Sequence, residues 1–211
     1  MTFDEALERR FKFTGRAARD NLPALAIARH KWGPAGDHGR RSLAKLARDL
    51  RCRRGVEIGT HDGESAVMWL AANSRLHLTC VDPYLTYNAR HSQEDQNAHY
   101  AEATERLKPY NAEIVRAKSL EVVDGFKDRS VDFVYIDGDH EFDWVMQDLI
   151  RWAPKVRGGG LVILHDYCVS WRAGVMKAVD AYTAAHRVDP WYVTRDHTPT
   201  AFWERGAARA G

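Results

Sequence analysis

Residues 53–69, RRGVEIGTHDGESAVMW, decide how this chain folds. A short β-branched run closes on Glu57 and Gly59, a polar loop follows, and Gly63 leads into helix formers, so the stretch reads as strand, glycine turn and helix. Just upstream, SLAKLARDL places Leu43, Leu46, Ala47 and Leu50 at helical spacing behind Ser42 as N-cap. Downstream, the unit repeats. LHLTCVD, AEIVRA, VDFVYID and GGLVILHD read as strands; ESAVMWLAAN, QNAHYAEATERL, SLEVVDGF, FDWVMQDLIRWA and RAGVMKAVDAYTAA read as helices. Alternation of this kind predicts a parallel sheet with helices on both faces, and the unbroken apolarity of FVYI and LVIL suits central strands. PWYVTRD and TAFWER, joined by HTP, predict a terminal antiparallel hairpin.

At 211 residues and 45% hydrophobic content, one α/β domain over 41–205 is expected, preceded by a helical extension over 1–40. The formal charge of +2 implies no polyanionic partner. The basic run of Arg29, Lys31, Arg40, Arg41, Lys45, Arg48, Arg51, Arg53 and Arg54 carries no interleaved aromatic platform and reads as a solvated helix face with its flanking loops, not a nucleic-acid surface. Cys52, Cys80 and Cys168 are odd in number and widely spaced, which argues against disulfides and structural zinc and for a reducing compartment. The N-terminus lacks the apolar core of a signal peptide, and no run reaches the ~20 apolar residues of a membrane span. A cytoplasmic protein without membrane contact is expected.

Ligands of open α/β sheets bind beyond the carboxyl ends of the strands. The pattern Glu57-x-Gly59-x-x-x-Gly63 lacks both the G-x-G-x-x-G spacing that approaches a pyrophosphate and the lysine of a P-loop. Asp82 closes the next strand 23 residues beyond Gly59, where a carboxylate can accept hydrogen bonds from both ribose hydroxyls. Together these features favour an adenosine ligand whose other end is not anionic, and disfavour a nicotinamide dehydrogenase.

VEIGTHDGES, CVDPY, VDFVYIDGDHEFDWVMQDLIRWAPKVRGGGLVILHDY and GVMKAVDAY together resemble the class I S-adenosylmethionine-dependent methyltransferases, in particular the small O-methyltransferases of the macrolide-sugar and catechol type, over roughly residues 42–185. The resemblance implies a single Rossmann-like domain with a seven-stranded, mostly parallel sheet and an antiparallel last strand, which the terminal hairpin matches. It implies S-adenosylmethionine as cofactor, a small hydroxylated acceptor and a homodimer or larger assembly. It places Glu57, Gly59 and Gly63 around the methionine, Ser65 as cap of the next helix, Asp82 on the ribose, and Ser119 beside the adenine; for Ser119 a plain helix cap is an equal alternative. N-methyl transfer on the same fold, or a non-catalytic protein binding the same ligand, are the rival readings, and the titratable cluster described next speaks against the second.

YIDGDHEF and LHDY end two strands that open onto one sheet edge and bring Asp137, Asp139, His140, His165, Asp166 and Tyr167 together. Carboxylates and imidazoles converging there could hold a divalent cation. By the resemblance Asp137 and Asp166 occupy magnesium-binding positions, while His165 stands where the macrolide-sugar branch has glutamate; the metal-free alternative is that Asp137 touches the cofactor or caps a helix while Asp166 orients His140. Either His165 is a third ligand and shifts preference from magnesium towards manganese or another transition metal, or it turns away and the two carboxylates hold the ion. His140 is the expected general base, since a histidine of ordinary pKa is largely neutral at neutral pH, and the resemblance points to the same residue; a helix cap is the alternative. Trp144 and Trp152 read as core or lid packing and Trp69 as a helix-face residue. In the long polar stretch YLTYNARHSQEDQNAHY, Tyr84, Tyr87 and His91 are candidates for acceptor contact.

Overall fold

The structure, a computed structural model, describes residues 1–14, 24–28, 38–86 and 92–206. Tyr87 and His91 lie outside the described residues. The chain begins with α1 (Phe3–Arg10), β1 (Phe11–Thr14), β2 (Ala24–Ala28) and α2 (His38–Asp49). The alternation follows as β3 (Arg54–Ile58), α3 (Glu64–Ala72), β4 (His77–Val81), α4 (Gln93–Leu107), β5 (Ala112–Val115) and α5 (Ser119–Val122). It continues through β6 (Val131–Ile136), α6 (Phe142–Trp152), β7 (Val156–Leu164) and α7 (Gly174–His186), and ends in β8 (Tyr192–Thr194) and β9 (Ala201–Glu204). One sheet holds all the strands in the order β1-β2-β8-β9-β7-β6-β3-β4-β5. From β3 to β9 this is the expected seven-stranded arrangement: β5, β4, β3, β6 and β7 run parallel, and β9 lies antiparallel between β7 and β8.

The period of two along a strand divides the core. In β6, Phe133 and Tyr135 face α1, α2 and α3, where Trp69 lies 4.9 Å and 5.3 Å from their rings, centroid to centroid. Val134 and Ile136 face α6 and α7 and pack with Leu149, Trp152 and Val179. Trp152 is fully buried with its ring edge on Phe126, whereas Trp144 is 52% exposed and so is not a core residue. Trp152→Ala is expected to destabilise the fold by about 3–5 kcal/mol in denaturant titration, because it removes a fully buried indole and leaves a cavity between α6 and the sheet.

The N-terminal segment departs from the helical expectation. Among the described residues before α2, Phe3–Arg10 is helical, opened by a capping box of Thr2 and Glu5. Phe11-Lys12-Phe13 alternates instead, burying Phe11 against Phe202, and forms an antiparallel pair with β2, which adds to the sheet beside β8. Arg10 pairs with Asp49 (Nε to Oδ2, 2.6 Å) and ties α1 to the end of α2. Ser42 is not an N-cap but a buried residue inside α2, which starts four residues earlier at His38. The amide of Gly39 donates to Asp196 Oδ2 (3.0 Å), so a carboxylate from the β8–β9 turn supplies the partner that a local side chain was expected to provide. Among the described residues no helix is long and apolar enough to cross a membrane.

Candidate active site

Four backbone hydrogen bonds carry the sheet ladder one residue past its strands: Gly59 N donates to Val81 O (2.9 Å), Asp82 N to Val115 O (3.2 Å), Asp137 N to Ile58 O (2.8 Å) and His165 N to Ile136 O (3.0 Å). Gly59, Asp82, Asp137 and His165 therefore stand in one row along the carboxyl edge of the sheet. The loops leaving that row turn through left-handed residues, Gly59 (φ 86°), His61 (φ 50°), Tyr84 (φ 49°) and Asp166 (φ 56°). At Gly59 the requirement is steric as well, since a Cβ would lie 2.2 Å from the carbonyl oxygen of Asp137.

The glycine loop is braced from both sides. Gly63 caps α3 in the left-handed conformation, so Ser65 is the second helical residue and not the cap; its hydroxyl donates to Glu57 Oε1 (2.6 Å). Glu57 is fully buried, and its other carboxyl oxygen meets nothing stronger than the Cys80 thiol. Burial pushes its carboxyl up to about 8 against the Ser65 hydrogen bond, with the charges of Asp137 and Asp82 adding to the rise. The unfolded chain then holds fewer protons than the folded one between the two pKa values, so Glu57 costs stability as pH rises through that window. Glu57→Gln should be the more stable protein near pH 8 by about 4 kcal/mol, with the gap closing towards pH 4.5, in urea titrations at the two pH values.

Asp82 holds two loops at once: Oδ2 accepts from His61 N (2.9 Å) and Oδ1 from Tyr84 N (2.8 Å). Each oxygen keeps a further lone pair for a ligand. The His61 ring lies on His99 of α4, 3.8 Å between centroids, and Asp62 pairs with Arg106 (2.7 Å), anchoring the loop to that helix. Tyr84, a candidate for acceptor contact, is instead fully buried against the edge of Tyr100, and its inward position rules out that role. Ser119 opens α5 after Lys118, which is the N-cap, and its hydroxyl donates a short hydrogen bond to Asp148 of α6. Asp148 went unnoticed in the sequence. It is buried, and burial raises its carboxyl to about 6. The available signal was a carboxylate at the spacing of Val145, Leu149 and Trp152, on the face of α6 turned to the core.

Between β6 and β7 the titratable groups meet. His140 Nε2 lies 3.0 Å from Asp166 Oδ2 and 3.9 Å from Asp137 Oδ1, and His165 Nδ1 lies 3.2 Å from one oxygen of each aspartate. Tyr135 of β6 donates its hydroxyl to Asp137 Oδ2 (2.8 Å). The backbone of His140 is fixed from behind by Gly174, where a Cβ would come within 2.1 Å of the His140 carbonyl oxygen. Burial alone would pull both imidazoles down, yet the two aspartates outweigh it and raise each to about 9. Burial would likewise raise the aspartates, but hydrogen bonds from the two histidines hold both below the usual carboxylate range. The expectation of a neutral His140 at neutral pH therefore does not hold for the ligand-free site. Donor atoms of Asp137, His140 and Asp166 come within 4.8 Å of one another, a spacing that fits a single cation, and His165 lies outside that triad.

The family described as "Methyltransferase domain" matches residues 56–167. A "Putative O-methyltransferase" of Mycobacterium sp. (strain JLS) is 28% identical over 158 residues, covering 75% of this chain and 68% of the mycobacterial protein. Uncharacterized protein y4gI of Sinorhizobium fredii is 32% identical over 133 residues, but the match spans 57% of this chain and 14% of that protein. Among solved structures, the O-methyltransferase TomG of Streptomyces achromogenes, involved in tomaymycin synthesis and crystallised with S-adenosylmethionine, superposes with a TM-score of 0.59 at 17% identity, over 82% of each chain. The family match covers more than half of the sequence and takes in the glycine loop, the Asp82 strand end and the aspartate–histidine cluster: the chain belongs to the methyltransferase-domain family.

Proposed function

We propose that this protein transfers a methyl group from S-adenosylmethionine to a hydroxyl of a small acceptor, a sugar or secondary metabolite, with His140 as general base. The observation that carries the reading is the single row at the sheet edge: a loop with no phosphate-binding pattern and a free-sided Asp82 at one end, two aspartates and two histidines at the other. Glu57, Gly59, Gly63 and Ser65 form the methionine end of the cofactor site, Asp82 the ribose end, and Ser119, oriented by Asp148, the adenine end. The relatives' O-methyltransferase descriptions support the same chemistry. Binding of S-adenosylhomocysteine by calorimetry, then transfer of labelled methyl from S-adenosylmethionine to a panel of hydroxylated acceptors, tests it. Absence of binding in the high micromolar range overturns it. Asp82→Ala should weaken S-adenosylhomocysteine binding by about 1.5–3 kcal/mol, the worth of hydrogen bonds to a charged group, and calorimetry on the variant reads that loss directly.

The donor set fits a divalent cation, magnesium or manganese, on Asp137 and Asp166 with His165 beside them, which leaves His140 to act as base. A cation bound there would lower the pKa of an acceptor hydroxyl. The chain's own task is to orient the acceptor for in-line attack and to take up its proton at His140 Nε2. Exhaustive chelation is expected to lower turnover, with recovery on adding manganese or magnesium; unchanged turnover removes the metal from the reading. The free thiols of Cys52, Cys80 and Cys168 support a reducing, cytoplasmic setting. The exposed Phe142, Trp144 and Ile150 on α6 support a homodimer or larger assembly, which sedimentation would read.

A further inference from the structure

A cavity of about 510 Å³ opens between α2 and α3. Its volume is that of a small-molecule site. Arg40, Arg41 and Lys45 of α2 form one wall, and Val67, Met68 and Ala71 of α3 form the other. Glu64 and Ser65 line it too, and Ser65 is the residue bonded to Glu57. Through Ser65 the cavity adjoins the row at the sheet edge, because Glu57 lies two residues before Gly59, whose backbone packs on that of Asp137.

Charge is out of balance in this cavity. Three cations and one carboxylate, Glu64, line it. Arg41 and Lys45, one helical turn apart, have no ion-pair partner among the described residues. A neutral ligand would leave both unanswered, and a cationic one would be repelled. A nucleic acid is a poor match as well, since the wall facing the cations is a short aliphatic strip and offers no aromatic platform. A compact anion with an apolar body satisfies both walls, its charged end taking the forked donors of arginine and the ammonium of lysine.

We propose that this cavity selects the acceptor by charge: a small molecule whose carboxylate or phosphate lies against Arg41 and Lys45, whose apolar body lies on Val67, Met68 and Ala71, and whose hydroxyl extends past Ser65 towards His140. This rests on the methyl-transfer reading above and narrows its acceptor to anionic compounds.

The test titrates protein saturated with S-adenosylhomocysteine with three probes: 4-hydroxybenzoate, phenyl phosphate and the uncharged methyl 4-hydroxybenzoate. At least one anion is expected to bind about tenfold or more tightly than the ester, the worth of one charge-assisted hydrogen bond, and the stronger of the two anions identifies the group. The double variant Arg41→Glu/Lys45→Glu, both residues on the helix surface, should erase that preference while leaving S-adenosylhomocysteine affinity unchanged. Equal binding of anion and ester, binding of none of the three, or a preference that survives charge reversal overturns the proposal. Joint loss of anion and S-adenosylhomocysteine binding overturns it too, by giving the cations to the cofactor's own carboxylate. Failure of the wild-type protein to bind S-adenosylhomocysteine at all strikes the methyl-transfer reading itself, and the first titration separates that case from the others.

Discussion

His140→Ala is expected to lower methyl-transfer turnover about 10²-fold or more while leaving S-adenosylhomocysteine affinity intact. The reason lies in where the imidazole stands. Its Nε2 is 3.0 Å from Asp166 and 3.9 Å from Asp137, at the cluster end of the edge. Those same carboxylates raise His140 to about 9, so in metal-free protein the base is protonated at neutral pH and has to shed that proton before it can accept another. Turnover of chelated enzyme should accordingly rise with pH towards about 9, and the rising limb should be missing in His140→Ala. Near-normal turnover of the variant across that range would transfer the role to His165 or to direct activation of the hydroxyl.

Gly59→Ala is expected to remove cofactor binding and to destabilise the fold together. Alanine at φ 86° carries the left-handed penalty of about 1–2 kcal/mol. The larger cost is steric, because the new methyl would sit 2.2 Å from the Asp137 carbonyl oxygen and 2.7 Å from Gly138 Cα, both backbone atoms that cannot rotate away. Relief requires β3 and β6 to part at the point where Asp137 N bonds Ile58 O, which displaces Asp137 with them. A total loss of about 3 kcal/mol or more in urea titration, with no measurable S-adenosylhomocysteine binding, is the expected result. Wild-type affinity in this variant would show that the loop can re-form elsewhere and that the row at the sheet edge is not the cofactor site.

Local pattern by itself determined the α/β alternation from Arg54 to Glu204, because strand and helix periods differ and each segment here keeps to one of them. It also determined that Gly59, Asp82, Asp137 and Asp166 would share an edge, since parallel strands joined by helices all end on the same side. What local pattern could not determine was anything decided by a partner distant in the chain. Phe11–Thr14 became a strand through pairing with β2 and packing on Phe202, although the residues before it are helical. The start of α2 was set by Asp196, 157 residues away from Gly39, and so passed over Ser42. Ser119 found Asp148 across two helices, and Tyr84 turned inward to Tyr100. The charge state of His140 is the clearest case. A histidine in isolation titrates near neutrality, and only the convergence of β6 and β7, which sets two carboxylates against one imidazole, moves it to about 9.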